Sequence, residues 1–535
     1  MSRTVVLTLV AIVVAAPMLA EAAPRPTVEI QLLSISDWHG QLDSFSVAGV
    51  GAVGGAAVIA AYWDAERARN PNTLAFTAGD AFGGTPPLSS FFGEEPAVLA
   101  LNAMGLDADT LGNHNFDRGV AHLRSMMSLA DYSVVAANLA DPAGELPDVR
   151  RYVIKDVGGV KVGIVGVVNP EAPTLVKPGS FGQTYVTDPV QAAQQARAAA
   201  KQEGAKVFVL LAHMGVEGTD ANGAPAGPLV DLAAAVGGFD VVLGDHTDRP
   251  YIAITDESIV VENPSKGRTY SRITLRVDPH NGRISDRQVD TITPLASAVT
   301  PDADVEALLA PYRSALAAAY DAQVGVASAL FPRASNIERL QEVALGNLVA
   351  DAMREAYGTQ VALTNGGGLR APIPSSYAPA DATLRRTSPG YAAGPPFDVV
   401  LGDVYAVLPF GNVVVTRTVT GTQLIETLEH GVSSMPSANG RFLQVSGLRF
   451  TYDATLPVGA RVLSVQLDDG TPVLRDATLY TLATSDFMNV GGDGYTMLAD
   501  GRGTTRDLMA AVLAEHIAAA GTITPVVEGR ITRVA

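Results

Sequence analysis

Between residue 28 and about residue 300, short apolar runs alternate with Ala-rich segments that carry their charges on one face. EIQLLSIS, NTLAFTA, VKVGIVGVV, AKVFVLLA and FDVVLG have the length and the branched apolar content of buried strands. AAVIAAYWDAERARN, EPAVLALNAMG and DPVQAAQQARAAAKQEG read as helices. Strands alternating with helices predict a layered α/β domain. Near residues 270–295 the pattern turns β-only, in RITLRVDPHNGRISDRQVDTI. Residues 300–323, TPDADVEALLAPYRSALAAAYDAQ, predict a helix capped by Thr300 or Asp302. It sits at a shift in composition and reads as an interdomain connector, with an ordinary core helix as the alternative. A second α/β region runs from about residue 325 to residue 535. Within it, residues 375–396 are rich in Pro, Ser and Gly and predict a long surface loop.

Polar clusters follow five of the strand-like runs directly. SISDWHG supplies Asp37 and His39, and FTAGDAF supplies Asp80. TLGNHNFD supplies Asn113, His114 and Asp117; LLAHMG supplies His213; VVLGDHTD supplies His246 and Asp248. Ligands of layered α/β sheets bind just beyond the carboxyl ends of strands, so these segments are expected to meet. Alone, each has an ordinary reading as a turn or a core histidine; the series does not. Carboxylate, imidazole and amide oxygen without sulfur suit Zn²⁺, Mn²⁺, Co²⁺ or Fe²⁺. The set exceeds what one ion needs. Asp37, His39 and Asp248 could hold one cation, and Asn113, His213 and His246 another, with Asp80 between them. Two ions ~3.5–4 Å apart clamp the oxygens of a displacement at phosphorus. His114 and Asp117 remain. If the segment turns helically, Asp117 reaches the imidazole and fixes its tautomer, leaving the other nitrogen to assist the transition state. His122, His280, His430 and His516 have no such context and read as structural.

The totals narrow the chemistry. The 535 residues are 47% hydrophobic and 17% charged, which fits a globular chain of two to four domains. A net charge of −18 argues against nucleic-acid polymers as partners, since phosphate backbones need clustered Lys and Arg. There is no cysteine, which removes disulfides, thiolate metal sites and Cys nucleophiles. MSRTVVLTLVAIVVAAPMLAEAAPRP reads as an export signal: Arg3 ahead of an apolar run, the run broken by Pro17, and an A-x-A site at Ala20 and Ala22. Cleavage after Ala22 would leave an exported chain, periplasmic or released, without a membrane anchor.

The order D-x-H, G-D, G-N-H, H, G-x-H-x resembles the calcineurin-like metallophosphoesterases. GEEPAVLALNAMGLDADTLGNHNFDRG, GNLVADAM, NGGGLR, LPFGN and NVGGDGY narrow the resemblance to the secreted 5′-nucleotidase/UDP-sugar hydrolase family, over nearly the whole chain. It implies an N-terminal four-layer β-sandwich flanked by helices (residues 26–299), a linker helix or hinge (300–324) and a C-terminal α/β substrate-binding domain (325–535). Carried over, the metal ligands are Asp37, His39, Asp80, Asn113, His213, His246 and Asp248, and the catalytic pair is His114 and Asp117. Two positions depart from the family pattern. Asn115 stands where Glu or Asp is usual, and no metal role is expected of it. Asp248 stands where Gln, Asn or His is usual; an anionic ligand there would strengthen the hold on the cations.

In the second region, VALTNGGGLRAPIP places Arg370 after a triple-Gly turn, where backbone and guanidinium suit an anion; a tight turn with a surface Arg is the other reading. Arg339, before GNLVADAM, is a second candidate cation, and Asn365 a further candidate contact. Phe410 and Phe487 lie beside Gly-rich turns. The resemblance implies that they sandwich a nucleobase, at ~1–3 kcal/mol of stacking per base. It implies polar contacts from Asn412 and Asp493. The expected activity is phosphate release from nucleoside 5′-monophosphates, with nucleotide diphosphates or UDP-sugars as further substrates. A 2′,3′-cyclic nucleotide phosphodiesterase/3′-nucleotidase and a non-catalytic nucleotide-binding protein are the alternatives. Metal identity, preferred base and oligomeric state are not legible.

Overall fold

The computed structural model describes residues 27–176, 179–220, 222–333, 336–500 and 502–534. The leader read over residues 1–22 lies outside the described residues. No described helix is long and apolar enough to cross a membrane.

Two six-stranded sheets dominate the first half. In the first, Val28–Ser34 is central, antiparallel to Tyr270–Val277 and parallel to Thr73–Phe76, with Leu32 opposite Leu74. In the second, Val207–Ala212 is central and parallel to both Val160–Val167 and Val241–Gly244. The two-residue period of a strand explains how the sheets stack. Ile30, Leu32, Phe76 and Leu275 of one sheet meet Val162, Val207, Val209 and Leu243 of the other in one dry core. Leu33 and Ala75 face outward onto Ile59, Trp63 and Leu101 of the helices Ala56–Arg69 and Glu95–Ala103. Phe208 and Leu210 face outward onto Ala193, Ala196 and Leu229. The result is helix, sheet, sheet, helix. Strands buried on both faces need apolar residues throughout, hence the unbroken run VFVLLA.

The second half holds a five-stranded sheet ordered Leu443–Ser446, Val361–Asn365, Leu479–Ser485, Val413–Thr420, Thr504–Leu508. Ala344–Tyr357 and Met509–Ala520 pack on one face, and Gly421–Gly431 packs on the other. Helix Ala303–Tyr320 joins the halves. Asp302 caps it, accepting from the backbone N–H of Asp304 and of Val305 (3.1 and 2.9 Å). Its flank is tied to the first half by Arg313 to Asp43 (2.7 Å) and Tyr312 to Glu95 (2.6 Å). Just past its end, Asp321 accepts from Tyr377 Oη (2.8 Å) in the second half.

Residues 375–396 are not the plain surface loop their composition predicts. Arg386 is buried and donates to Asp403 (2.7 Å), which also accepts from the backbone and hydroxyl of Ser375. A loop that must satisfy a buried guanidinium is fixed in place, a constraint that composition does not reveal.

Candidate active site

The parallel strands deliver five loops to one spot. Asp37 and His39 follow Val28–Ser34, and Asp80 follows Thr73–Phe76. Asn113 and His114 follow Ala108–Asp109, His213 follows Val207–Ala212, and His246 follows Val241–Gly244. The turns are sharp. Asp37, His39, Asp80, His246 and Asp248 all have positive φ (40°, 47°, 46°, 88° and 59°), uncommon for residues other than glycine.

Two backbone carbonyls set the histidine tautomers. Gly83 O lies 2.8 Å from His39 Nδ1, and Ala78 O lies 3.2 Å from His213 Nδ1. Each Nδ1 therefore carries a proton, and each Nε2 faces inward, where it can give up its own proton to a cation. His213 Nε2 stands 3.1 Å from Asp80 Oδ2, 3.2 Å from Asn113 Oδ1 and 3.2 Å from His246 Nδ1. Once that Nε2 has lost its proton, the acceptors of Asp80, Asn113 and His246 around it repel its lone pair unless a positive charge joins them. The donor set therefore fits a borderline cation such as Zn²⁺, Mn²⁺ or Co²⁺. The ligand atoms of Asp80, His213 and His246 all lie within 4.8 Å of one another, as do those of Asp37, His39 and Asp80. Asp80 belongs to both groups. Burial opposes its ionisation, but positive charge at His213, His114 and His39 outweighs burial and holds its carboxyl below the usual range, and the same pairing raises the pKa of His213. Burial lowers the pKa of His246 and keeps the ring neutral, as a ligand must be.

Asp80 is seated by neighbours. Its Oδ1 accepts from His114 N (2.8 Å), and Gly112 is required because a Cβ there would fall 2.2 Å from that oxygen. Asn115 is buried and faces away from the lone-pair cluster. Its Oδ1 accepts from Gly112 N (2.7 Å) and Asp80 N (3.3 Å), and its Nδ2 donates to Phe82 O (3.0 Å). This amide staples two ligand loops together.

A 3₁₀ turn, His114–Phe116, brings Asp117 Oδ2 to 2.9 Å from His114 Nδ1. Burial would lower the His114 pKa, but Asp117, Asp80 and Asp37 overcome it and push it up to about 10. The imidazole is thus a cation with its Nε2 hydrogen unclaimed by Asp117.

Asp248 stands outside the two clusters that share Asp80; it is exposed, and its carboxylate accepts from Ser265. Asp245, which the sequence reading passed over, is fully buried, and its carboxylate groups with Asp37 and His213. Glu262 was also missed. Its Oε1 accepts from Thr247 Oγ1 (2.7 Å) and its Oε2 from Val216 N (2.8 Å), holding the His246 loop against the His213 loop. An acidic residue ending the apolar strand IVVE was the available signal.

Across the cleft, Asn365, Gly368, Phe410, Asn412 and Ser485 line a small cavity. Phe410 is 59% and Phe487 40% exposed, unusual for Phe in a well-packed domain. The Arg370 guanidinium lies 5.5 Å over the Phe410 ring. Asn365 Nδ2 donates to Asp493 Oδ2 (2.7 Å), and Asn412 Nδ2 to Asp486 Oδ1 (2.8 Å). Arg339 is not brought to the cavity lining; it lies beside Glu338, 3.9 Å away. His430 supports Asp493 through a 2.9 Å contact with its carbonyl. The halves approach here. A Cβ on Gly411 would sit 3.9 Å from Thr85 O, and Asp486 lies close enough to Asp117 to feel its charge.

The 5′-nucleotidase C-terminal domain family model matches residues 323–500. A 5′-nucleotidase precursor from Thermus thermophilus superposes with a TM-score of 0.60 at 27% identity, over 94% of this chain and 99% of that one. Residues 323–500 belong to the 5′-nucleotidase C-terminal domain family, and the chain over nearly its whole length is similar to 5′-nucleotidases of the calcineurin-like phosphoesterases. Other family relatives include a Diplobatis ommata protein named 5′-nucleotidase, 28% identical over 87% of this chain and 82% of its own. A Bacillus subtilis protein named Endonuclease YhcR is 28% identical over 88% of this chain. In three bacterial relatives this chain spans 38%, 65% and 30% of their length.

Proposed function

We propose that the chain is an exported phosphohydrolase that releases phosphate from nucleoside 5′-monophosphates. The observation that carries this reading is the lone-pair cluster around Asp80, with the His114–Asp117 pair on its rim and the Phe410 cavity across the cleft. Two divalent cations fit it. Asp37 and His39 would hold one, Asn113, His213 and His246 the other, and Asp80 both; Asp248 or Asp245 would complete the first. Such cations supply Lewis acidity to phosphate oxygens and to an attacking water.

The protein's own groups do the rest. Asp117 keeps the His114 imidazole oriented and charged, so Nε2–H stabilises the transferring phosphoryl group and protonates the leaving oxygen. Phe410 and Phe487 hold the base, Arg370 adds positive charge beside the ring, and Asn365, Asn412 and Asp493 supply polar contacts. Arg339 would join them only after a shift from its present place. A substrate held by both halves requires them to part and close, and we place that hinge at residues 300–324, between domains at 26–299 and 325–535. Export would follow cleavage after Ala22.

Phosphate release from AMP, 3′-AMP, cyclic 2′,3′-AMP and UDP-glucose, with Mn²⁺, Co²⁺ or Zn²⁺ added, tests the reading. Faster release from AMP supports it. AMP binding without any release would leave a binding protein instead.

A further inference from the structure

The proposed chemistry assigns residues 83–94 no part, yet this segment lies against two histidine rings of the site. Gly83 O is 2.8 Å from His39 Nδ1. A Cβ on Gly84 would lie 3.2 Å from His114 Nδ1 and 3.4 Å from His39 Nδ1. Farther along, Thr85 and Ser89 press on Gly40, the residue after His39. A Cβ on Gly40 would fall 2.9 Å from Thr85 Cγ2 and 3.0 Å from Ser89 Oγ. The segment has only one turn of helix, Pro87–Ser90, so its own backbone bonds do not fix it.

A single carboxylate does. Glu94 is 3% exposed and sits at φ 73°, a left-handed conformation uncommon for a residue with a side chain. Its Oε2 accepts from Thr85 Oγ1 (2.6 Å) and from Ser89 Oγ (2.7 Å). Its Oε1 faces the Arg118 guanidinium at 3.9 Å, and Arg118 donates to Ser90 O (2.7 Å). Arg118 directly follows Asp117. One buried carboxylate thus joins the segment over His39 to the turn that carries His114 and Asp117. Glycine would take the Glu94 corner without strain. What glycine would lack there is the carboxylate.

We propose that Glu94 is a positioning residue for the cation held by Asp37 and His39. By fixing Thr85 and Ser89 it keeps Gly83 O on His39 Nδ1, and so keeps His39 Nε2 turned inward. Glu94 acts through the segment and touches neither cation nor substrate. His213, in the other ligand group, is seated by Ala78 O, which lies outside this segment, so that group does not depend on Glu94. The inference deepens the two-cation reading and rests on it for the role of His39.

Competition for Zn²⁺ against a chromogenic chelator reads each cation without turnover. Glu94→Gly removes the carboxylate and the left-handed strain together, so the protein should melt close to the unaltered one. One of its two equivalents of Zn²⁺ should be weakened about 10-fold or more, while the other keeps its affinity. Thr85→Val removes one donor but keeps the shape, and should weaken the same equivalent. Its effect should shrink when Glu94→Gly is already present, because the two act as one latch. Glu94→Gln, whose amide oxygen still accepts from a hydroxyl, should recover most of the affinity. A merely structural role would lower the melting temperature and leave the folded protein holding Zn²⁺ as before. Unchanged affinity in Thr85→Val and in a folded Glu94→Gly would overturn the inference, and so would equal weakening of both equivalents. Selective weakening of one equivalent, in a chain that releases no phosphate from AMP, would sustain the inference and remove the hydrolase reading.

Discussion

The imidazole of His114 stands edge-on to that of His39, with ring centroids 5.2 Å apart and planes at 81°. The group proposed for proton transfer is thus packed against a candidate metal ligand, while Asp117 holds its Nδ1. His114→Ala should lower kcat for AMP by about 10²–10⁴-fold with little change in KM. Asp117→Asn, which keeps the ring but loses its charge partner, should fall between. Unchanged turnover in His114→Ala would refute the mechanism.

Asn115 should matter for stability and for ligation together. Asn115→Ala leaves Gly112 N and Asp80 N without their acceptor and should cost about 2–4 kcal/mol in urea unfolding. Metal content of the purified protein should drop with it. A variant of normal stability would mean the staple is dispensable.

Glu262 touches no candidate ligand atom, yet it fixes the loop that carries His246. Glu262→Ala should weaken divalent-metal binding about 10–100-fold, read by competition with a chromogenic chelator. Binding equal to that of the unaltered protein would assign Glu262 to the fold alone.

Arg417 is buried and donates to Asp500 at 2.6 Å. Burial opposes ionisation of Asp500, but Arg502 and Arg417 outweigh it and hold the carboxyl far below the usual carboxylate range. A depressed folded pKa means that this stabilisation is complete above about pH 4 and fades as pH falls below it. Asp500→Asn should therefore cost about 2–3 kcal/mol at pH 7, less than a fully buried pair because the carboxylate is part-exposed. The stability gap between the two proteins should narrow steadily as pH falls below about 4. A difference that stays constant with pH would exclude this ion pair as its source.

Phe410 contributes surface rather than chemistry. Phe410→Ala should raise KM for AMP by about 5–100-fold, the equivalent of one lost stack, with a smaller effect on kcat. Ribose 5-phosphate, which has no base, should show no such change; an equal loss on both substrates would place Phe410 outside the base site.

Much of the site was legible because parallel strands end at one edge. An apolar run followed by Asp, His or Asn marks such an end, and five of them share one destination. The residues that went unread act through partners distant in the chain. Glu262 meets Val216 N, 46 residues away, and its one local sign, an acid closing the apolar run IVVE, does not name that partner. Asp245 lies inside GDHTD, where the pattern favoured the residues after it. Arg386 lay hidden in a loop-like composition, because burial of a guanidinium is decided by Asp403 across the fold. Asp248 matched a motif position, but its turn directs the carboxylate toward Ser265.

The left-handed corners at Asp37, His39, Asp80, His246 and Asp248 carry a meaning for the lineage as a whole. Each exacts about 1 kcal/mol or more that glycine would escape. Drift alone would erode such corners once the reaction ceased to be selected. An aspartate or histidine still seated at one of them, in any descendant of this chain, is a sign written in the main chain that the site remains in use.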